Sequence, residues 1–336
     1  MTETSLEDRY IVGITDRVVP PADVEQKAFP EAELLFLPHW KDGEEGREEW
    51  RRVDALLVWR RVIDRDTVAL LDRCRIVVRY GVGYDEFDLA ALDERNIPAC
   101  NTPDYGTEEV ADTAAAMILT LHRNVMRYNH ECRRITSGWG GYAIKSSART
   151  STRTLGVVGV GRIGTALVNR MKPFGFTIVG YDPYQVPGHE KAVGYTRADS
   201  LDELLECADI VTLHCPLNEE TEGMVDGDFL SRMKEGSSLV NTARGKILKD
   251  LDCLEESLTS GHLASAALDV LPDEPPQEHS LIRAWRKGDE LLGGRLLITP
   301  HKAFYSTSAF YDMRYKAAET ARLYLTAGRL RNQVTS

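Results

Sequence analysis

The sequence predicts an α/β protein of two doubly wound parallel-sheet domains flanking a cleft, and three observations carry that expectation. Short aliphatic runs alternate with helical stretches through the first hundred residues. The same alternation restarts near Thr152. At the restart a buried-looking apolar run passes through the glycine-rich turn Gly159-Val160-Gly161-Arg162-Ile163-Gly164 into a helical pattern. Strands alternating with helices imply parallel sheets. A chain of 336 residues accommodates two such domains at about 150 residues each.

In the first block, residues 10–14, 34–37, 55–59 and 76–79 read as strands, and 22–29, 66–71 and 89–95 as the intervening helices. A long helix is expected over 107–135, with Val110, Ala114, Met117, Ile118 and Leu121 on one face. In the second block, strands are expected at 155–159, 177–181, 209–213, 238–241, 264–268 and 296–299. Helices are expected at 162–174, 201–207, 228–233 and 250–260, and an amphipathic helix at 307–327 closes the chain. No short-period repeat and no low-complexity linker interrupts this order.

Composition narrows the class of function. A net charge of −11 argues against a nucleic-acid-binding face, which needs clustered cations. The six cysteines show neither a CxxC pair nor metal-ligand spacing, so reduced thiols and no metal are expected. The acidic start of the chain lacks a leader pattern and no apolar run is long enough for a membrane span, so a cytoplasmic protein is expected.

The glycine turn has a chemical reading. Gly159 permits a tight turn, Gly161 lets backbone approach a pyrophosphate, and Gly164 lets helix pack on strand. The helix that opens there offers N–H groups and a positive dipole end to phosphates. Asp182 ends the next strand, where a carboxylate accepts both ribose hydroxyls of NAD and repels a 2′-phosphate. Three polar signatures follow, each at or beyond the end of an expected strand: Asn241 to Gly245 with Arg244, Leu268-Asp269-Val270 leading to Glu274, and Thr299-Pro300-His301. Open α/β sheets place ligands at those ends.

With these residues in place, the chain resembles the D-isomer-specific 2-hydroxyacid dehydrogenases over nearly its whole length. The resemblance rests on Gly81-Val82-Gly83-Tyr84-Asp85, Asn101-Thr102-Pro103, Val110-Ala111-Asp112, the glycine turn, Asn241 to Gly245, Leu268 to Val270 and Pro300-His301. Tyr181 to Tyr184, Val211 to Cys215 and Tyr305-Ser306 are most similar to the branch containing the C-terminal-binding proteins.

The resemblance implies a Rossmann NAD-binding domain at 103–303, with a dimerisation helix near 107–135. It implies a flavodoxin-like substrate domain formed by 1–102 and 304–336. It implies a homodimer that transfers hydride between NAD(H) and a small 2-hydroxy or 2-oxo acid. Arg244, Glu274 and His301 become the catalytic residues. Val160 to Thr165 are implied to hold the pyrophosphate, Asp182 the ribose, and Cys215 and Pro216 the adenosine side. Thr242, Ala243 and Asp269 are implied near the nicotinamide. The backbone of Tyr80, Gly81, Val82 and Gly83 is implied to bind the substrate carboxylate, beside Arg79. An NAD-sensing scaffold with incidental catalysis is the alternative that the same branch allows.

Several positions depart from the family pattern. Val82 replaces a small polar residue, Lys302 follows His301 where a small residue is usual, and Phe304 stands in place of a tryptophan. Residues 275–300 form a longer stretch than usual, either a solvated insertion or a flap. Arg79, Lys302 and one of Arg60 and Arg61 add positive charge at the expected substrate end. Such a local reversal of charge suits a substrate with a second anionic group, a carboxylate, phosphate or phosphonate.

Overall fold

The computed structural model describes residues 9–16, 18–133, 139, 148–289 and 292–335. The chain divides into two compact units, Met1–Gly106 with Ser306–Ser336, and Thr107–Tyr305. In the first unit β1 (Tyr10–Ile14) leads through α1 (Asp23–Ala28) to β2 (Ala32–Phe36), and through α2 (Glu44–Arg52) to β3 (Ala55–Val58). Next come α3 (Arg65–Val68), β4 (Val77–Arg79), α4 (Leu89–Glu94) and β5 (Ala99–Cys100).

The second unit opens with α5 (Thr107–His122) and α6 (Val125–Cys132), then β6 (Thr154–Val158), α7 (Arg162–Met171), β7 (Thr177–Tyr181), α8 (His189–Val193) and β8 (Thr196–Arg197). It continues with α9 (Leu201–Cys207), β9 (Ile210–Leu213), α10 (Gly227–Arg232), β10 (Ser237–Asn241), α11 (Leu251–Ser260), β11 (Leu263–Leu268), α12 (Ser280–Lys287) and β12 (Leu296–Ile298). The chain returns to the first unit with α13 (Thr307–Ala327) and β13 (Gln333–Val334).

The first sheet runs β13-β5-β4-β3-β1-β2, parallel except for β13. The second runs β12-β11-β10-β9-β6-β7-β8 and is parallel throughout. Winding reverses between β1 and β3 in one sheet and between β6 and β9 in the other, and such switch points are where parallel sheets take ligands. Both faces of each sheet are covered. Leu56, Val58 and Val77 join the core on one face of the first sheet, while Ala55, Leu57, Ile76 and Val78 join the other. This is why the strands read as continuous apolar runs rather than as alternation.

Two expectations about helices need correction. The helix expected over 107–135 breaks at Asn124, which has φ 55° and separates α5 from α6. Asparagine tolerates that left-handed conformation better than most residues, and the apolar spacing gives no sign of the break. Its expected last residues, 134 and 135, lie outside the described ones. Val110, Ala114, Met117, Ile118 and Leu121, on one face as expected, are all buried within the second unit, where α5 packs on α7 and the sheet. Within 275–300, α12 is anchored by Leu281 and Ile282, both buried, and the exposed Arg283 pairs with Glu278 at 3.4 Å. That part of the stretch is a core-packed helix rather than a solvated insertion.

Candidate active site

The nucleotide turn is built by close packing. A Cβ on Gly159, which has φ 86°, would lie 2.6 Å from the Cys215 nitrogen, and one on Gly164 would lie 2.1 Å from the Gly159 carbonyl oxygen. Gly161 is different: a Cβ there would meet nothing within 4 Å, so the turn backs onto open space at the residue expected to approach the pyrophosphate. Arg162, Ile163, Gly164 and Thr165 form the first turn of α7, whose leading N–H groups lack intrahelical acceptors.

Asp182 is oriented by two backbone donors, Val160 N–H to Oδ2 at 2.8 Å and Tyr184 N–H to Oδ1 at 3.0 Å. Burial pushes the Cys215 thiol up to about 11 and the neighbouring His214 down to about 3, so this wall is uncharged at neutral pH. Pro216 is exposed beside it. Thr242, before the half-buried Ala243, has a buried hydroxyl with no partner among the described residues. The open space at Gly161, the oriented Asp182 and the orphaned Thr242 hydroxyl fit a bound dinucleotide.

The three polar signatures form one connected structure. Asn241 braces the Arg244 turn from both sides, accepting from Ala243 N–H at 3.0 Å and donating to the Arg244 carbonyl at 2.9 Å. The guanidinium Nη1 donates to the Ala243 carbonyl at 2.9 Å. A Cβ on Gly245 would lie 1.8 Å from the Leu271 carbonyl oxygen, so the Arg244 turn lies directly on the segment leading to Glu274. Glu274 accepts from Leu271 N–H at 3.2 Å, and its other oxygen meets His301 Nδ1 at 2.7 Å. Both side chains keep about a quarter of their surface exposed, 24% and 27%.

His301 has φ 53°, an uncommon conformation for a non-glycine residue, and its N–H bonds the Asp269 carbonyl at 2.7 Å. The buried Asp269 carboxylate accepts from the Thr299 hydroxyl at 2.6 Å, Lys302 N–H at 2.9 Å and Ala303 N–H at 2.8 Å. Asp269, expected beside the nicotinamide, orders the turn that carries His301. Lys302 is exposed, its ammonium 5.5 Å from the centre of the Phe304 ring and 5.1 Å from that of Tyr305.

In the first unit the structure redistributes the expected roles. Tyr80 N–H bonds the Val58 carbonyl, and Gly81 N–H bonds the Arg79 carbonyl. The Tyr80 hydroxyl donates to the buried Glu25 carboxylate at 2.9 Å, which also pairs with Arg314 at 2.5 Å. Neither the Tyr80 side chain nor these two amides are directed at a ligand. Val82 and Gly83 follow in the same loop, with the Val82 carbonyl tied to Asn101 Nδ2 at 2.7 Å. Arg79 is buried, pairs with Glu86 at 3.3 Å and donates to the Tyr80 carbonyl at 2.5 Å, so its charge is balanced locally.

Arg60 and Arg61, after β3, line a cavity of about 480 Å³ with Asp16, His39, Trp40, Lys41, Val62, Asp64 and Thr67. The two acids there hold the fold: Asp16 accepts from the Trp59 and Arg60 amides at 3.1 and 2.8 Å, and Asp64 caps α3. His39, Lys41 and Glu86 had no cue in sequence except that each lies in a loop after a parallel strand. Among the described residues, Asp252, Glu255 and His279 are the group of metal-ligand types that lie close together. There His279 caps α12 through Nδ1 and meets Asp252 through Nε2 at 3.0 Å. Among the described residues no helix is long and apolar enough to cross a membrane.

A parallel sheet with a glycine turn, an acid ending the following strand and a histidine–carboxylate pair at its carboxyl edge defines a dinucleotide-dependent class of α/β protein. Residues 115–303 match the D-isomer specific 2-hydroxyacid dehydrogenase, NAD binding domain, and the chain belongs to that family. C-terminal-binding protein 1 of Caenorhabditis elegans is 31% identical over 80% of the chain and 37% of the relative. D-3-phosphoglycerate dehydrogenase of Methanocaldococcus jannaschii is 33% identical over 71% of the chain and 43% of the relative. The chain thus spans less than half the length of either. The fold is similar to that of D-lactate dehydrogenase from Aquifex aeolicus, solved with NAD and lactic acid, with TM-score 0.79, 27% identity and coverage of 97% and 99% of the two chains.

Proposed function

We propose that the protein is an NAD-dependent D-2-hydroxyacid dehydrogenase, or 2-oxo acid reductase, with His301 as its acid–base group. The observation that carries this reading is the 2.7 Å contact between His301 Nδ1 and Glu274. With Nδ1 held by a carboxylate, Nε2 is the nitrogen left to exchange a proton with substrate. Bound NAD(H) supplies or accepts the hydride. In reduction, His301 gives its Nε2 proton to the alkoxide oxygen and Glu274 stabilises the imidazolium that precedes the transfer. In oxidation, neutral His301 takes the hydroxyl proton. Arg244 orients the substrate carboxylate and polarises the carbonyl through its fork of donors, and the Val82 and Gly83 amides bind the carboxylate. Asp269 holds the histidine turn, with a further contact to the nicotinamide as its family role.

The substrate in this proposal carries a second anionic group, a carboxylate, phosphate or phosphonate. Lys302, exposed beside His301, and Arg60 after β3 support it; Arg61 does not, because it donates to the Thr15 carbonyl and lies over Trp50, nor does Arg79, because Glu86 neutralises it. Initial rates on matched neutral and dianionic 2-oxo acids, for wild type, Lys302→Met and Arg60→Met, test it. A preference for the dianion that falls in either variant is expected; a preference for the neutral acid in all three contradicts it. The scaffold alternative lacks a reason to keep Glu274 bonded to His301. The domain roles proposed are NAD binding by 103–303 and substrate binding by 1–102 with 304–336. A homodimer is proposed as in the family, and a cytoplasmic setting accords with six free cysteines.

A further inference from the structure

Two loops at the carboxyl edge of the second sheet are tied together across the end of β6. One follows β7 and contains Asp182, Pro183 and Tyr184; the other follows β9 and contains Asn218 to Thr221. The Tyr184 hydroxyl donates to the Glu220 carboxylate. Since β6 lies between β7 and β9, this link spans the strand that ends in the glycine turn.

Both ends of the link are held. Tyr184 N–H bonds Asp182 Oδ1 at 3.0 Å, which ties the tyrosine's backbone to the acid that ends β7. Glu220 N–H bonds Asn218 Oδ1 at 3.1 Å, and the Thr221 hydroxyl bonds the Pro216 carbonyl at 2.6 Å. By accepting a hydrogen bond from the phenol, Glu220 pushes Tyr184 above the usual tyrosine range, which keeps the donor protonated. Tyr184 is 72% exposed and takes no part in the hydrophobic core, so its ordering has no packing explanation. Through Tyr184, the Glu220 carboxylate is linked to the loop that carries Asp182.

We propose that Tyr184 and Glu220 form the outer wall of the adenosine end of the nucleotide site, and that Glu220 is a second discriminator, with Asp182, against a 2′-phosphate. The proposal rests on the placement of the nucleotide at the glycine turn. Its energy comes from like-charge repulsion at a partly solvated site, so it weakens as salt screens it.

Binding, rather than turnover, tests it. Dissociation constants for NADH and NADPH are measured by nicotinamide fluorescence on wild type, Glu220→Gln, Tyr184→Phe and Asp182→Ala, at low and high salt. Glu220→Gln is expected to tighten NADPH relative to NADH by roughly three- to tenfold at low salt and less at high salt, a tenfold change being about 1.4 kcal/mol. Tyr184→Phe is expected to weaken NADH severalfold by releasing the wall. An unchanged ratio in Glu220→Gln, with a changed one in Asp182→Ala, overturns the role of Glu220 and leaves the nucleotide placement intact. If Asp182→Ala also leaves the ratio unchanged, the placement itself fails.

Discussion

A histidine becomes a directional acid–base group when one ring nitrogen is held, and Glu274 holds Nδ1 of His301. His301→Ala should therefore lower kcat by about a hundred- to ten-thousand-fold while NADH binding, read by fluorescence titration, stays near wild type. Glu274→Gln keeps a hydrogen-bonding group but removes the charge that supports the imidazolium. Its pH–rate profile should shift to lower pH, because the protonated ring loses stabilisation; an unmoved profile would remove Glu274 from this role. Gly245 is a second pivotal position, since any Cβ would press on the Leu271 carbonyl at 1.8 Å. Gly245→Ala should displace the Arg244 turn, raising KM for the 2-oxo acid and lowering thermal stability; unchanged kinetics would show that the turn yields freely. The residue types were legible in sequence because proton transfer and carboxylate binding need histidine and arginine after strand ends. The hydrogen bonds of Asp269, Tyr80 and Arg79 were not, because turn geometry decides whether a polar group faces a ligand or the protein.

At the scale of elements, the strand at 177–181 and the amphipathic helix at 307–327 were legible to their ends, because burial on both faces or along one stripe writes a sustained pattern. Two-residue strands such as β5, β8 and β13 were not, since pairing rather than pattern defines them. The β6–β9 pair is anchored by one side chain. Asp209 accepts from Thr154 N–H, Arg153 and Lys234, each at 2.8 Å. Burial raises its carboxyl, but these donors outweigh burial and hold it below the ordinary carboxylate range. A depressed pKa means stability that is present above the unfolded value, about 3.9, and lost as pH falls through the folded value. Asp209→Asn should cost about 2 kcal/mol at neutral pH, as hydrogen bonds to a charged group do. In urea melts the gap from wild type should close below about pH 4; a gap independent of pH would contradict the assignment.

At the scale of the molecule, local positive charge in a chain of net charge −11 is what the proposed anionic substrate requires. The dimer proposed through the region of 107–135 is narrowed by where its apolar residues go. With the apolar stripe of α5 buried in its own unit, we predict a two-fold contact through α6, which has no buried residue and exposes Val125. Light scattering at micromolar concentration should give a dimer that Val125→Glu weakens; a monomeric wild type would contradict this. The central claim, that the Glu274–His301 pair drives reduction of a 2-oxo acid, is tested most directly by NADH oxidation across a panel of neutral and dianionic 2-oxo acids, followed at the nicotinamide absorbance. Turnover by wild type, yielding the D-hydroxy acid and abolished in His301→Ala although that variant still binds NADH, is the result predicted. NADH binding without turnover on any member of the panel, or turnover that survives His301→Ala, would contradict it.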